Sequence, residues 1–337
     1  MPVDISKCLR IAISSRALFE LEEEDRIYDR MGLEAYRTYQ LENENRMLEP
    51  GTAFPLVRGL LGLNTSEKRR VEIIVVSKNH PETCIRVFKS IQHEGLDIIR
   101  AAFTGGESLV PYLEAFEIDL FLSRNKADVE EAIDAGFAAA VLYNQPPPPG
   151  EAREQLRIAF DADAVLFSED SEVVYRNEGL VAFLDHEAAH ADEPLAEGPF
   201  GRLIVKLIAM QREFEPSSAP LRIAIVTARN SPAHERVIKT LRAWDVGVDA
   251  AFFLGGLEKD KILKAFGAHI FFDDQDTHAA LAAMSVPSAL VPYKTGSRLR
   301  PVDTVEPLPS EASPPDRSND EDDPEANVGE GEAPRDG

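Results

Sequence analysis

The sequence predicts an α/β protein built as two tandem parallel-sheet halves, on the strength of three observations. Short apolar, β-branched runs alternate with amphipathic helical stretches, the pattern of parallel βαβ units. The second half of the chain repeats the first. The strand-like runs also end on polar residues, where open parallel sheets place their ligands.

The elements repeat in order. LRIAISSRALF from Leu9 and LRIAFDADAVLF from Leu156 each read as a buried strand running into a turn. VVSKN from Val75 matches VTARN from Val226, and the helical RVFKSI from Arg86 matches RVIKTL from Arg236. AAFTGG from Ala101 matches AFFLGG from Ala251, and LEAFEIDLFLS from Leu113 matches LKAFGAHIFFD from Leu263. From Arg86 to Ser123 the offset stays at 150 residues without a gap, a register that chance similarity would not hold. Between the copies lies NQPPPPG, whose prolines neither continue a helix nor donate to a sheet, so it reads as a stiff linker over 144–150. The expected division is a first half over 1–143, the linker, a second half over 151–299 and a tail over 300–337.

Of the net charge of −23, −10 falls in that tail, where twelve acidic residues after position 300 face only Arg317 and Arg335, so the rest of the chain is only moderately acidic. So few large apolar residues cannot offset the entropy of ordering, and the tail is expected to be a disordered acidic segment. No basic surface suited to nucleic acid is evident. The two cysteines exclude a disulfide framework and suit a reducing compartment. With no membrane-length apolar run and no signal-peptide layout, the expected location is cytoplasmic.

Chemistry is expected at the strand ends of the second half. RIAF runs into Asp161 and Asp163, where one carboxylate can attack or hold a metal and the other can move a proton. Taken alone, such a pair is an Asp-rich turn. RIAIV ends at Thr227, Ala228 and Arg229, whose hydroxyl and opening N–H groups suit a phosphate oxygen. Lys259 could neutralise a transferring phosphoryl group, with Lys261 a rival. HIFF ends at Asp273 and Asp274, adjacent carboxylates whose repulsion Mg2+ would offset.

In this order, FDADAV, VTARN, Lys259 and FFDD resemble the four motifs of the haloacid dehalogenase-like phosphohydrolases. ENRMLEPGTAFPLVRGL, TGGESLVPYLEAF, AFDADAVLFSEDSE, FLDHEAAHADEPLAEGPF, VTARNSPAHERVIKTLRAWD and HIFFDDQ are further similar to the type I cytosolic 5′-nucleotidases, over about residues 9 to 293. The resemblance implies two Rossmann-like halves and hydrolysis of nucleoside 5′-monophosphates, AMP or deoxynucleotides first. It makes Asp161 the nucleophile and Asp163 the acid and base. Mg2+ would sit on Asp161, the Asp163 carbonyl and Asp274, with Asp273 alongside, and Thr227 and Lys259 would hold the phosphoryl oxygens. A small cap is expected over about 168–211, with Phe183 or His186 meeting the base.

Aligned with these positions, the first half carries Ser14 and Arg16 opposite Asp161 and Asp163, Leu109 opposite Lys259, and Ser123 and Arg124 opposite Asp273 and Asp274. That is the pattern of a catalytically silent copy. Its open roles are a stabilising scaffold, part of the substrate pocket, a homo-oligomer interface, or a regulatory-nucleotide site in the relic cleft, where Arg16 and Arg124 would suit an anion. Two other functions stay open: a phosphatase of another small phosphomonoester, and a nucleotide-binding regulator without turnover.

Overall fold

The computed structural model describes residues 5–143 and 155–300. The proline-rich linker and the acidic tail beyond Arg300 lie outside the described residues. Residues Met1–Arg300 form a single compact unit, so the two halves share one body.

In the first half, strand β1 (Leu9–Ile13) leads into helices α1 (Ser15–Leu18), α2 (Glu22–Glu42) and α3 (Phe54–Leu61). Then follow β2 (Val71–Ser77), α4 (Ile85–His93), β3 (Arg100–Phe103), α5 (Val110–Ala115), β4 (Leu120–Ser123), α6 (Lys126–Asp134) and β5 (Ala139–Leu142). The second half has the same succession. It runs β6 (Leu156–Phe160), a tight turn at Ala162–Leu166, α7 (Asp170–Ala189), α8 (Gly201–Gln211), β7 (Leu221–Thr227), α9 (His234–Ala243), β8 (Ala250–Phe253), α10 (Asp260–Phe266), β9 (Ile270–Asp273), α11 (Asp276–Ala283) and β10 (Ser288–Leu290).

All ten strands form one sheet in the order β3-β2-β1-β4-β5-β10-β9-β6-β7-β8. Each half therefore contributes five strands in the same internal order. Within a half every pairing is parallel. The halves join through β5 and β10, which pair antiparallel with Ala289 opposite Leu142. The carboxyl ends of the two strand sets consequently face opposite edges of the sheet.

The central strands are short, mostly apolar and buried because helices cover both faces. One core cluster joins Ile11, Leu56 and Leu120 of the first half to Phe160, Leu207 and Phe272 of the second. Polar ties reinforce the seam, including Tyr143 Oη to Asp276 Oδ1 at 2.6 Å and Lys206 Nζ to Asp119 Oδ2 at 2.5 Å.

The repeat extends to backbone detail. Helix α2 kinks at Gly32 (φ 82°, ψ −177°) and α7 kinks at the matching Gly179 (φ 84°, ψ −178°), a conformation open mainly to glycine. Arg86 Nε donates to the Arg46 carbonyl at 2.7 Å, and Arg236 Nε to the Glu193 carbonyl at 2.9 Å. Of the stretch expected as a cap, α7 projects the exposed apolar residues Tyr175, Leu180 and Val181, whereas α8 exposes Val205 but buries Leu203, Ile204, Leu207 and Ile208 in the common core.

Candidate active site

The cluster starts from two neighbouring strands. β6 and β9 are parallel, with Phe160 opposite Phe272, and their rings stack at 5.3 Å between centroids. The residues that follow are Asp161 after Phe160, and Asp273 and Asp274 after Phe272. A hydrogen bond from Asp161 N to the Phe272 carbonyl at 2.8 Å locks the two strand ends together. In the first half Ser14 spends its hydroxyl on capping α1, accepting from Ala17 N at 3.3 Å. Asp161 takes the same backbone position without a side-chain cap bond, which leaves its carboxylate for other work.

Carboxylate oxygens of Asp161, Asp273 and Asp274 lie within 4.8 Å of one another, and all three residues are buried. Lys259, at the start of α10, sets its buried Nζ 3.0 Å from Asp161 Oδ1 and 2.7 Å from Asp273 Oδ2. Lys261 is exposed, so of the two rival lysines Lys259 reaches the cluster. Asp273 is further satisfied by Gln275 N at 2.9 Å on Oδ1. Asp274 receives the Tyr293 hydroxyl on Oδ2, while its buried Oδ1 accepts no hydrogen bond from the described residues.

Three carboxylates and one ammonium in a buried site leave an excess of negative charge. Burial pushes the Asp161 carboxyl up to about 7, with Lys259 opposing and Asp273 and Asp163 adding to the rise. Asp274 is pushed well above the ordinary carboxylate range by burial and then by Asp161 and Asp273. For Lys259 burial works against the charge, but Asp161 and Asp273 outweigh it and hold the ammonium firmly protonated. A hard divalent cation relieves such a cluster, and the unpartnered Asp274 Oδ1 gives it a ready oxygen ligand. The residues present fit Mg2+.

Asp163 stands slightly apart. Arg229, two residues beyond the end of β7, grips it with Nε to Oδ2 at 2.8 Å and Nη2 to Oδ1 at 2.5 Å. Arg229 also bonds Glu187 of α7, which receives Arg236 Nη1 at 2.9 Å and the Ser171 hydroxyl at 2.8 Å. Thr227 is buried at the end of β7 and accepts from Arg229 N at 3.2 Å; Ala228 beside it is exposed.

Phe183 and His186 both lie on α7. Phe183 is buried, with the Arg229 guanidinium 5.3 Å over its ring and Tyr175 in a T-shaped contact at 5.9 Å, so one face is already covered. His186 stays partly exposed, with Nδ1 3.1 Å from Glu187 Oε1 and its ring 4.3 Å from that of His190. The sequence reading missed Glu187, Arg236 and Tyr293. The repeat held a signal for one: an arginine opens RVFKSI and RVIKTL alike. Tyr293 carried none.

A family model described as 5′-nucleotidase matches residues 1–298. Human cytosolic 5′-nucleotidase 1B is 37% identical over 289 residues, an alignment that covers 82% of this chain and 47% of the human protein. The chain thus spans about half the length of that curated relative. No solved structure matches it. No helix among the described residues is long and apolar enough to cross a membrane.

Proposed function

Because the chain belongs to the 5′-nucleotidase family, we propose that it is a cytoplasmic, Mg2+-dependent phosphohydrolase of nucleoside 5′-monophosphates, with AMP or a deoxynucleotide as the first substrates to test. The observation that carries this reading is the buried Asp161, Asp273 and Asp274 cluster around Lys259. We read the two halves as tandem Rossmann-like copies, of which the second is catalytic.

The Asp161 carboxylate attacks phosphorus and the bond from phosphorus to the nucleoside O5′ breaks, giving an aspartyl-phosphate. Asp163 protonates the departing O5′, then takes a proton from the water that hydrolyses the aspartyl-phosphate. Lys259 holds a phosphoryl oxygen and compensates its charge, without which a carboxylate would be repelled by the anion. Thr227 and the N–H groups after it suit a second phosphoryl oxygen. Mg2+, when bound by Asp161, Asp274 and the Asp163 carbonyl, adds positive charge and aligns the attack. Asp274 fits as the closer ligand and Asp273 as the anchor of Lys259, because Asp273 has both oxygens satisfied. Arg229 positions Asp163. With Phe183 covered by Arg229, His186 is the better placed of the two to meet the base.

The test is phosphate release from a panel of nucleoside 5′-monophosphates and sugar phosphates, in Mg2+ and in EDTA. Metal-dependent release from nucleotides that Asp161→Asn abolishes is the expected result. Release confined to sugar phosphates would overturn the substrate, and release unaffected by Asp161→Asn would overturn the mechanism.

A further inference from the structure

The first half holds a cavity of about 420 Å³ at the carboxyl ends of its own strands, under helix α2. That volume lies in the range of small-molecule sites. It occupies the place in the first repeat that the carboxylate cluster occupies in the second, on the opposite edge of the sheet.

Its wall carries the cations Arg16 and Lys78 beside three carboxylates, Glu24, Asp25 and Asp128. The nucleophile position holds Ser14 and the proton-transfer position holds Arg16, both lining the cavity. No acidic cluster that could hold a metal forms there among the described residues. What persists is the means of holding an oxyanion. Ser77 stands where Thr227 stands in the other half, and bonds a neighbour through Ser15 Oγ at 3.2 Å. Lys78 follows it, on the cavity wall, and is tied to Asp128 at 2.7 Å. Arg16 is tied by Nη2 to Asp25 at 2.8 Å, while its buried Nε has no hydrogen-bond partner among the described residues. Arg124, the other cation expected there, is drawn to Glu20 and Glu22 instead. On the α2 side, Tyr28 and Tyr36 meet edge to face at 5.9 Å and add an aromatic wall.

We infer that this cleft is a second ligand site, which binds a nucleoside 5′-phosphate intact and without metal. The phosphate takes Arg16 Nε, Lys78 and the serine hydroxyls, and the base packs on the tyrosines. Without a carboxylate at position 14 or 16, or a metal, the ligand is held and not hydrolysed. The ligand class rests on the nucleotide reading of the second half; the cavity and its cations do not.

The experiment uses the full chain carrying Asp161→Asn, with AMP, adenosine and inorganic phosphate as probes, by equilibrium binding and amide hydrogen exchange. In EDTA, AMP is expected to bind and to slow exchange at Ser77–His80 and Gly105–Gly106, a region that occupancy of the opposite edge would leave unchanged. Lys78→Glu and Arg16→Ala should each weaken that binding by about tenfold or more, the loss of one charge-assisted hydrogen bond, while Lys78→Arg retains it. Lys78 is a third exposed, so its variants are expected to fold. No protection at these segments, or EDTA-resistant binding that ignores both Lys78→Glu and Arg16→Ala, overturns the site. Protection by inorganic phosphate equal to that by AMP, or by adenosine alone, overturns the ligand class. Phosphate release by the chain with Asp161 intact is read separately: its failure beside retained cleft binding would sink the catalytic reading and leave this one standing.

Discussion

Glu187 offers the sharpest test of how α7 is held over the strand ends of the second half. Its side chain is fully buried and accepts from Arg229, Arg236 and Ser171. Burial raises the cost of its charge, but Arg229, Ser171 and Arg236 outweigh it and hold the carboxyl below the ordinary glutamate range. Glu187→Gln keeps the shape and removes the charge, leaving the buried Arg236 without a carboxylate and Arg229 with Asp163 alone. Breaking one partner from a buried ion pair costs roughly 3–5 kcal/mol. For a unit of about 300 residues that is a fall in Tm of roughly 5–8 °C. The first half indicates the rescue. There Arg86 is satisfied by Glu24 with Gln40 beside it, the positions that hold Ser171 and Glu187 in the second half. Ser171→Glu added to Glu187→Gln should therefore recover part of the lost stability. The depressed pKa sets the pH dependence: its stabilisation is present above the unfolded value of about 4.5 and is lost as pH falls through the folded value. Thermal and urea unfolding of wild type and both variants, at pH 7 and pH 4, measures all of this. A loss under about 1 kcal/mol at pH 7, or a double variant less stable than the single one, would refute the reasoning.

Other outcomes follow from the same geometry. The raised pKa values of Asp161 and Asp274 mean that the metal-free protein retains protons the unfolded chain has lost, so its stability falls as pH rises from about 4 through 7. The gain in Tm on adding Mg2+ should accordingly be larger at pH 8 than at pH 6; an equal gain would argue against carboxylate ligation. Lys259→Met strands Asp161 and Asp273 without their counter-charge, and should lower stability in EDTA by roughly 3–5 kcal/mol while abolishing phosphate release. A Cβ at Gly198 would sit 2.2 Å from the Phe167 carbonyl oxygen and 2.6 Å from that of Val165, so Gly198→Ala must displace the turn after Asp163. Soluble yield and unfolding should show a loss well above that of Gly247→Ala, whose added Cβ meets nothing within 4 Å.

Much of this protein was legible in its residues. Apolar runs at βα spacing dictate a parallel α/β layout because a strand buried on both faces has no polar alternation to display. The carboxylates at the ends of β6 and β9 were readable as well, since the topology of open parallel sheets brings strand ends together whatever the loops do. The match between the halves, gap-free from Arg86 to Ser123, also made the repeat itself legible. Tertiary structure alone decided the rest. The antiparallel junction of β5 and β10 sends the two clefts to opposite edges, and no local pattern encodes which edge strands pair. The choice of Lys259 over Lys261, the covering of Phe183 by Arg229, and the tie of Tyr293 to Asp274 likewise depend on directions in space. A sequence states which charges exist; only packing determines which of them are brought together away from water.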